Sequence, residues 1–577
     1  MFILIINDFR IKFIIDFPYF IILSLKMMTI KIIVRTFLAS IALFCFACQS
    51  EYSLDKAEAI MSENKMKEYI KVLASDEFQG RKPFSEGELK TIDYISSVYS
   101  ELKLTPALED TYLQEVPLVE VTVGVDMPMV FRTKGQNNSI NYKDEFVVFS
   151  RQLQDEIVVE NTEVVFAGYG IVAPEYGWND YEDLDVKGKT VLVLVNDPGL
   201  DSGNDKLFKG NEMTYYGRWS YKFEEAARQG AAALLIIHDT KGAGYPWSVV
   251  LNSALVPKLY QQSENKYADR AAIEGWLTHD IAAGIFADNK LDLNEAIADA
   301  KKKGFKGFAL DTKMSMTIRN SYREDKTNNV IGYIKGSDLS DECIVYSAHW
   351  DHLGIGRKMN GDSIYNGAVD NGTSLAWMFE IARAFKAMPT PRRSIVFLAP
   401  SAEESGLNGS AYYVGHPVFP INKTVANINN DLMLPYGRMK DLMVTGFGQS
   451  ELDDYAAEAA KEQGRYILPD PNPHTGMYYR ADHFSFAKAG VPALFARGNS
   501  DHIEKGKDYM AKKEKDWLAN NYHKPFDEYQ DWWDLSGVKE DAQLMFRIGW
   551  KLANEDTFPK WKEGSEFKAI RDKQMAN

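Results

Sequence analysis

Short apolar runs alternate with amphipathic stretches through the C-terminal half of the chain. The runs in "NVIGYIKG", "ECIVYSAH" and "RRSIVFLAP" are short and rich in β-branched residues, which is typical of buried strands. The stretch "SLAWMFEIARAFKA" predicts a helix, and "VKEDAQLMFRIGWKLANE" places Met545, Ile548 and Leu552 on one helical face. Strands that alternate with helices predict an α/β fold with a largely parallel sheet covered on both faces.

The region before this rhythm begins with helical spacing. Residues 55–104 carry apolar side chains three and four positions apart, as in Ile92, Ile95, Tyr99 and Leu102. Such a stripe is the mark of an amphipathic helix with one buried face. We predict that residues 53–116 are the N-terminal helical part of the same α/β domain, whose strands resume after residue 315.

Residues 117–315 have a different texture. Short β-rich runs alternate there with Gly, Pro and Asp turns, and "YKFEEAARQGAAALLIIHD" predicts a helix, a turn at Gly230 and a buried strand. We predict a β-rich module with its own core, inserted between the helical part (53–116) and the main domain (316–577).

The first 48 residues have the pattern of an export signal. A short positive region precedes the apolar run Thr36–Ala47, and small residues follow up to Cys48. Translation is expected to start at Met27 or Met28. A cysteine at this junction resembles a bacterial lipoprotein site, so we expect a periplasmic, outer-membrane or cell-surface lipoprotein anchored only through Cys48. A cleaved, soluble secreted protein and an uncleaved anchor are the alternatives.

Composition narrows the class of partner and of chemistry. A chain of 577 residues is too long for one ordinary core, so two or more domains are expected. The net charge of −15 argues against nucleic acid as a partner. Without the leader only Cys48 and Cys343 remain, so no disulfide framework is expected. Cys343 lies in an apolar run, where we predict a small buried hydrophobic residue and not a nucleophile.

Acidic and imidazole side chains follow several of the predicted strands directly. Singly, each has an ordinary interpretation as a helix cap, a turn residue or a solvated loop charge. Together they supply mixed nitrogen and oxygen ligands that suit zinc, enough for two ions if one carboxylate bridges them. These residues are His349, Asp351, Asp370, Glu403, Glu404, Asp431 and His523.

A set of motifs in the same order carries a family resemblance. "LASDEFQGR", "SAHWDHLG", "GAVDNGTS", "SAEESGLNGS", "NNDLM", "ADHFSFAKAGVPA" and "YHKPFDEY" together resemble the M28 zinc aminopeptidases. The chain departs from the family pattern after "FQGR", where it has "KPFSEGE". The resemblance implies a three-layer αβα domain around a mixed, mostly parallel sheet of the zinc-exopeptidase type. The module at 117–315 resembles the protease-associated (PA) domain inserted in many members.

The resemblance also implies the ligands of two zinc ions. It assigns His349, Asp370 and Asp431 to one ion and Asp370, Glu404 and His523 to the other, with Asp370 bridging. Co²⁺ or Mn²⁺ would suit the same ligands. A cis peptide bond is expected at Asp370–Asn371. The remaining histidines, His352 among them, are expected to be structural or solvent-exposed.

Catalytic roles are implied in the same way. Neighbouring side chains on an extended chain point to opposite sides, so adjacent Glu403 and Glu404 are expected to have different tasks. Glu403 would be the general base, and Asp351 would orient His349 through its second ring nitrogen. Tyr478 would stabilise the oxyanion, with Tyr479 as the rival for that role.

The resulting functional hypothesis is an exported di-zinc exopeptidase that removes N-terminal residues from peptides. Three alternatives remain open at this point. A carboxypeptidase or dipeptidase would use the same fold, a glutaminyl cyclase-like enzyme would use one zinc, and a non-catalytic receptor would bind without turnover. The inserted module is expected to narrow access to the site.

Overall fold

The computed structural model describes residues 52–576, so the predictions for residues 1–48, including Cys48, lie outside the described residues. Among residues 52–576 no helix has the length and apolar character needed to cross a membrane. The helices are Leu54–Ala59 (α1), Glu63–Leu73 (α2), Glu86–Glu101 (α3), Trp219–Arg228 (α4), Thr240–Ala243 (α5), Trp247–Ala254 (α6), His279–Asp288 (α7), Leu293–Ala300 (α8), Ser374–Lys386 (α9), Asn408–Gly415 (α10), Leu452–Glu462 (α11), His483–Lys488 (α12), Gly506–Asn520 (α13), Ser536–Asn554 (α14) and Lys568–Met575 (α15).

Most of the strands join one extended sheet. Two short pairs, β7 with β8 and β15 with β16, form separate two-stranded sheets. The strands are Thr105–Pro106 (β1), Leu113–Gly124 (β2), Met129–Thr133 (β3), Gln136–Ile140 (β4), Phe146–Phe149 (β5), Glu156–Phe166 (β6), Val172–Ala173 (β7), Trp178–Asn179 (β8), Thr190–Leu194 (β9), Ala233–Ile237 (β10), Lys258–Gln261 (β11), Ile273–Leu277 (β12), Phe308–Ile334 (β13), Leu339–Ser347 (β14), Gly354–Met359 (β15), Asp362–Tyr365 (β16), Arg393–Ala399 (β17), Thr424–Asn429 (β18), Asp441–Thr445 (β19), Tyr466–Pro469 (β20) and Ala493–Arg497 (β21).

The C-terminal part of this sheet is mixed but mostly parallel, as predicted. Strand β14 pairs in parallel with β17 on one side and β18 on the other, and β18 pairs in parallel with β21. Strand β13 runs antiparallel to β17, and β19 runs antiparallel to β21. The four parallel strands are buried over most of their length, because helices cover both of their faces.

Two adjacent residues of β14 show the three layers. Val345 packs in a core cluster with Tyr413 of α10 and Phe486 of α12. The next residue, Tyr346, contacts Trp377 of α9 and donates a 2.8 Å hydrogen bond to the Met545 carbonyl of α14. Successive side chains of a strand point to opposite faces, so the two helix pairs cover opposite faces of the sheet. The αβα prediction is confirmed.

The region predicted as an insert has an apolar core of its own. Strands β6, β9, β10 and β12 pair in parallel, and adjacent residues Leu234 and Leu235 belong to two separate clusters on opposite faces. The predicted helix, Gly230 turn and strand are confirmed as α4, a glycine with φ +79° and β10.

Both predicted boundaries of the insert fall inside strands. Residues 116 and 117 lie within β2, and residues 315 and 316 lie within the 27-residue strand β13. The two strands pair antiparallel from Leu113 with Val330 to Gly124 with Arg319. The region is therefore joined to the rest by a continuous two-stranded ladder, where the sequence had predicted a domain change.

Candidate active site

Three parallel strands bring their carboxyl ends to one edge of the sheet. Strand β14 ends at Ser347, β17 at Ala399 and β18 at Asn429. His349, Glu403 and Asp431 follow these ends by two to four residues. Residues that are distant in sequence therefore meet at this edge, which is where ligands of α/β proteins bind.

Arg81 fixes two of the loops that carry the site. Its guanidinium is fully buried and donates hydrogen bonds to the carbonyls of Trp350 and Gly367, both at 2.8 Å. It also donates to the carbonyls of Leu73, at 2.8 Å, and Asn366, at 2.5 Å. Burial lowers the pKa of Arg81 to about 10, so it stays cationic at neutral pH. Sequence analysis had found the "FQGR" motif but gave its arginine no role.

Asp370 lies in a tight turn just before α9. The peptide bond Asp370–Asn371 is cis, which confirms the expectation. The buried carboxylate of Asp527 accepts hydrogen bonds from the backbone N–H groups of Val369 and Asp370, both at 3.0 Å. Asp527 comes from the "YHKPFDEY" stretch, so this stretch holds the turn as well as supplying His523.

The predicted ligands converge around the two oxygens of Asp370. Nε2 of His349 lies 3.5 Å from Oδ1 of Asp370 and 3.2 Å from Oδ1 of Asp431. Nε2 of His523 lies 3.3 Å from Oδ2 of Asp370 and 3.1 Å from Oε2 of Glu404. Each Asp370 oxygen thus faces a different histidine, as a bridging carboxylate requires.

These separations suit zinc. Ligand atoms about 2.0–2.2 Å from a tetrahedral ion lie roughly 3.3 Å from one another. Donor atoms of His349, Glu403 and Asp431 also lie within 4.8 Å of one another. However, Oε2 of Glu403 is 4.0 Å from His349 Nε2, farther than the oxygens of Asp370 and Asp431. The geometry therefore favours Asp370 over Glu403 as the third ligand beside His349.

Burial and crowded charge shift the pKa values of Glu403 and His349. Burial raises the pKa of Glu403 well above its ordinary value, and Asp431 adds to the rise against the opposing His349. Burial lowers the pKa of His349, but Glu403 and Asp431 outweigh it and raise the pKa well above the usual range. Carboxylates packed this closely in a dry pocket need positive charge, and two divalent cations would supply it.

Glu404 is the exception within this group. Burial would raise its pKa, but His523 and His352 outweigh burial and hold the pKa well below the ordinary value. The pKa of Glu404 is thus shifted down, whereas that of its neighbour Glu403 is shifted up. The two adjacent glutamates have different environments, in line with the expectation of different tasks.

Asp351 contacts the site in a different way from the one predicted. Its Oδ1 lies 3.7 Å from Nδ1 of His349, beyond hydrogen-bond distance, and the Asp351 main-chain oxygen lies nearer at 3.1 Å. The carboxylate instead accepts the backbone N–H groups of Glu403 at 3.0 Å and Glu404 at 3.4 Å. Asp351 thus positions the loop of the two glutamates, and its carbonyl orients the histidine.

Tyr478 lies in a buried environment, and its role in stabilising the oxyanion stays a prediction. Its hydroxyl is buried and has no hydrogen-bond partner among the described residues. Burial raises its pKa, and the carboxylates that add to the rise are Glu566, Asp453 and Glu212, none of them a predicted ligand. The rival Tyr479 donates a 2.9 Å hydrogen bond to Glu566. Neither hydroxyl faces the ligand carboxylates, because both rings pack into the core behind them.

Tyr522 is a site residue that sequence analysis missed. Its ring stacks on His523 with 3.9 Å between the ring centres, and it is 36% exposed. Burial is the largest cause that raises the pKa of Tyr522 well above the usual range. The negative charges of Asp370, Glu404 and the other two site carboxylates raise it further. Tyr522 therefore lies beside a predicted ligand, with part of its surface exposed to solvent. Its position directly before a predicted ligand was the available signal.

His352 was predicted to be structural or solvent-exposed, and it is a buried residue that contacts the site. The side chain is buried, and its Nδ1 lies 2.7 Å from Oε1 of Glu404. Its donor atom also lies within 4.8 Å of those of Asp370 and Glu404. A 2.7 Å contact is a direct hydrogen bond and leaves no room for an ion between the two atoms. His352 therefore holds one oxygen of Glu404 and leaves Oε2 facing His523.

Comparison with known proteins finds similarity to peptidases. Residues 329–547 match the model of Peptidase family M28. The chain is 30% identical to aminopeptidase YwaD of Bacillus subtilis (strain 168) over 331 residues, 56% of this chain and 57% of that protein. It is 31% identical to a glutamate carboxypeptidase 2 homolog of Caenorhabditis elegans over 208 residues, 34% of this chain and 24% of that protein.

The chain thus spans between a quarter and somewhat over half the length of these curated relatives. A solved aminopeptidase from Aneurinibacillus sp. strain AM-1 superposes with a TM-score of 0.47 and 16% identity, covering 88% of this chain and 97% of that one. The matched residues 329–547 contain every predicted metal ligand. The chain therefore carries a peptidase family M28 domain over residues 329–547.

Proposed function

We propose that the protein is a di-zinc aminopeptidase that hydrolyses the N-terminal peptide bond of peptides. The observation that carries the proposal is the arrangement around Asp370. Its two oxygens face two different histidines, and the Glu403 carboxylate lies beside them in the same buried pocket. Similarity to an aminopeptidase of Bacillus subtilis supports the choice of substrate terminus.

The donor set fits two ions that share Asp370. His349, Asp370 and Asp431 would hold one, and Asp370, Glu404 and His523 would hold the other. Zinc bound in such a pair polarises a carbonyl and lowers the pKa of water. The residues around the ligands keep them fixed, since Arg81, Asp527 and His352 hold the loops and one ligand oxygen.

Glu403 is placed to move the proton. Its carboxylate would take a proton from the attacking water and pass it to the nitrogen of the scissile bond, which leaves as the new N-terminal amine of the shortened peptide. The raised pKa of Glu403 suits this exchange, because a carboxylate with a raised pKa is a stronger base than an ordinary one. Asp351 keeps this carboxylate in place through the backbone N–H of Glu403.

Tyr522, beside a predicted ligand, supplies a hydrogen-bond donor. Its pKa lies well above neutral pH, so the hydroxyl keeps its proton. That proton can be donated to the substrate carbonyl oxygen as negative charge develops on it. Stacking on His523 fixes the ring without requiring a further hydrogen bond.

A carboxypeptidase is the second candidate, and the similarity to a glutamate carboxypeptidase 2 homolog favours it. A peptide-library digest read by mass spectrometry, with and without a chelator, separates the two. The proposal expects products shortened from the N-terminus and no products after chelation. Products shortened from the C-terminus would establish the second candidate, and undiminished products after chelation would contradict a metal enzyme.

We also propose that the protein is exported and anchored through Cys48, on the strength of its N-terminal signal pattern. Palmitate labelling in a bacterial host tests this directly. The wild type should take up label and fractionate with membranes, whereas Cys48→Ser should lose both properties. Label retained by Cys48→Ser would contradict the anchor.

A further inference from the structure

The loop that carries both glutamates has a strained backbone. This glutamate loop runs from Pro400 to Leu407, between β17 and α10. Ala402 and Leu407 have φ angles of +52° and +62°, a region that residues other than glycine seldom occupy. Such a backbone persists only where surrounding contacts hold it, so the shape of the glutamate loop depends on its neighbours.

Asn408 ties the end of the glutamate loop to a strand of the region predicted as an insert. Its side-chain NH2 group donates to the Ser405 carbonyl, within the loop, and to the Leu259 carbonyl of β11, each at 3.0 Å. In return, the side-chain NH2 group of Gln261, also on β11, donates a 3.0 Å hydrogen bond to the Asn408 carbonyl. Asn408 is only 8% exposed, so water competes little with these bonds. The two bonds between Asn408 and β11 run in opposite directions and form a clamp.

Apolar packing joins the same two parts of the chain. Ala402, directly before Glu403, is fully buried in a small core cluster with Leu118 and Leu259. Leu118 lies on β2 and Leu259 on β11, and both fall within the region predicted as an insert. Phe84, from the stretch "KPFSEGE" where the chain departs from the family pattern, packs against this cluster. The region predicted as an insert therefore supports the glutamate loop near its beginning as well as at its end.

Strand β11 is a firm support for the clamp. It pairs antiparallel with β2, from Lys258 with Val121 to Gln261 with Leu118. Strand β2 pairs in turn with β13, which also pairs with β17, the strand that leads into the glutamate loop. The clamp and the glutamate loop are therefore attached to one continuous hydrogen-bonded sheet.

Hydrogen bonds inside the loop carry this support to Glu403. The Glu403 carbonyl accepts the backbone N–H groups of Gly406 at 2.8 Å and Leu407 at 3.0 Å. The N–H group of Asn408 donates to the Ala402 carbonyl at 3.1 Å. A shift at the end of the loop would therefore move the main chain of Glu403, and a displacement of about 1 Å at a reacting group can cost about 100-fold in rate.

We propose that Asn408 and Gln261 are positioning residues for the Glu403 carboxylate, through which β11 of the predicted insert fixes the geometry of the reaction. The proposal rests on the proposed aminopeptidase function, which makes Glu403 the base. It gives the insert a part in catalysis that is separate from control of access. Positioning of the base affects kcat for every substrate, whereas a wall across the entrance affects long peptides most.

The test removes the clamp with little change in side-chain size. Gln261→Met deletes one donor, and Asn408→Leu deletes the side-chain bonds to both Leu259 and Ser405. Gln262→Met is the matched control, because the neighbouring Gln262 donates instead to the Leu118 carbonyl, at 3.1 Å. We expect kcat to fall about 3- to 10-fold in Gln261→Met and about 10- to 100-fold in Asn408→Leu, the range that the loss of one and of two hydrogen bonds allows. KM and bound zinc should stay unchanged in both, and Gln262→Met should keep the wild-type kcat.

The length of the substrate separates positioning from control of access. The same relative loss of kcat is expected for leucine p-nitroanilide and for a peptide of about ten residues, because the base serves both. A loss confined to the longer substrate would overturn the proposal, and so would wild-type kcat in both clamp variants. Thermal unfolding shows whether Asn408→Leu folds. If it does not, Gln261→Met decides the question, since Gln261 is only half-buried at the end of its strand.

Hydrogen exchange in metal-free protein tests the clamp apart from the proposed function. Mass spectrometry of the peptic fragment 400–410 follows the N–H groups of the glutamate loop. Exchange should be about 3- to 10-fold faster in Gln261→Met than in the wild type or in Gln262→Met, because the loop opens more readily without the clamp. That result would support the clamp even if no peptide were hydrolysed. Hydrolysis by the wild type, with equal exchange in all three proteins, would overturn this inference alone.

Discussion

Replacing Tyr522 by phenylalanine removes one hydroxyl from the residue beside His523 and leaves its ring in place. The ring should keep its stacking on His523, because that contact has 3.9 Å between centres and an angle of 25° between planes. Loss of folding is therefore not expected. Only the donor to the developing negative charge is removed.

The expected fall in kcat depends on how far Tyr522 is exposed to water. Removing one oxyanion donor in a closed site costs about 100- to 1,000-fold in kcat. Tyr522 is 36% exposed, and water competes with a donor in that position. The hydrogen bond to a charged acceptor is then worth about 1.5–3 kcal/mol, so we expect kcat to fall by about 10- to 100-fold with little change in KM.

Tyr478→Phe is the matched control, since both changes delete one phenolic hydroxyl. The Tyr478 hydroxyl has no partner among the described residues, so its loss should leave kcat unchanged. Steady-state hydrolysis of leucine p-nitroanilide measures both variants. A large fall in kcat for Tyr478→Phe together with wild-type kcat for Tyr522→Phe would refute the reasoning and support the assignment made from the sequence.

Three further predictions concern the residues around the ligands. Glu403→Gln should bind zinc as the wild type does but lose turnover, whereas Glu404→Gln should lose bound zinc. Mass spectrometry of the metal content measures the zinc in both variants. Equal zinc loss in both would contradict their separate roles. His352→Phe should weaken zinc binding about 10- to 100-fold in chelator competition, because a metal ligand loses its hydrogen-bond partner. His352→Gln should restore part of the affinity. Wild-type affinity in His352→Phe would contradict this prediction. Arg81→Lys leaves buried carbonyls unpaired and should lower the free energy of unfolding by about 3 kcal/mol in urea titration; an unchanged value would show that the loops do not depend on Arg81.

The spacing of apolar residues along the chain was enough to predict individual strands and helices. The apolar runs at Ile344 and Ile395 became the parallel strands β14 and β17, and α14 buries Met545 and Ile548 as its spacing required. Three site positions, His349, Glu403 and Asp431, were also local, since they follow strand ends by two to four residues. Parallel neighbours end at the same edge, so order along the chain was enough to bring these residues together.

The parts that the sequence did not predict depend on long-range contacts. His352 bonds Glu404 across 52 positions, and nothing near "HWDHLG" indicates that contact. Tyr478 and Tyr522 each precede a histidine, at different distances, but sequence spacing does not fix where a hydroxyl points. The domain boundaries missed the strands because β2 pairs with a segment about 200 residues away.

The number of zinc ions bound per chain tests the central claim most directly. Metal-stripped protein is titrated with zinc, and bound metal is measured after removal of the excess. We expect two ions per chain, because the two oxygens of Asp370 face two complete sets of donors. Saturation at one ion, or no specific binding, would contradict it.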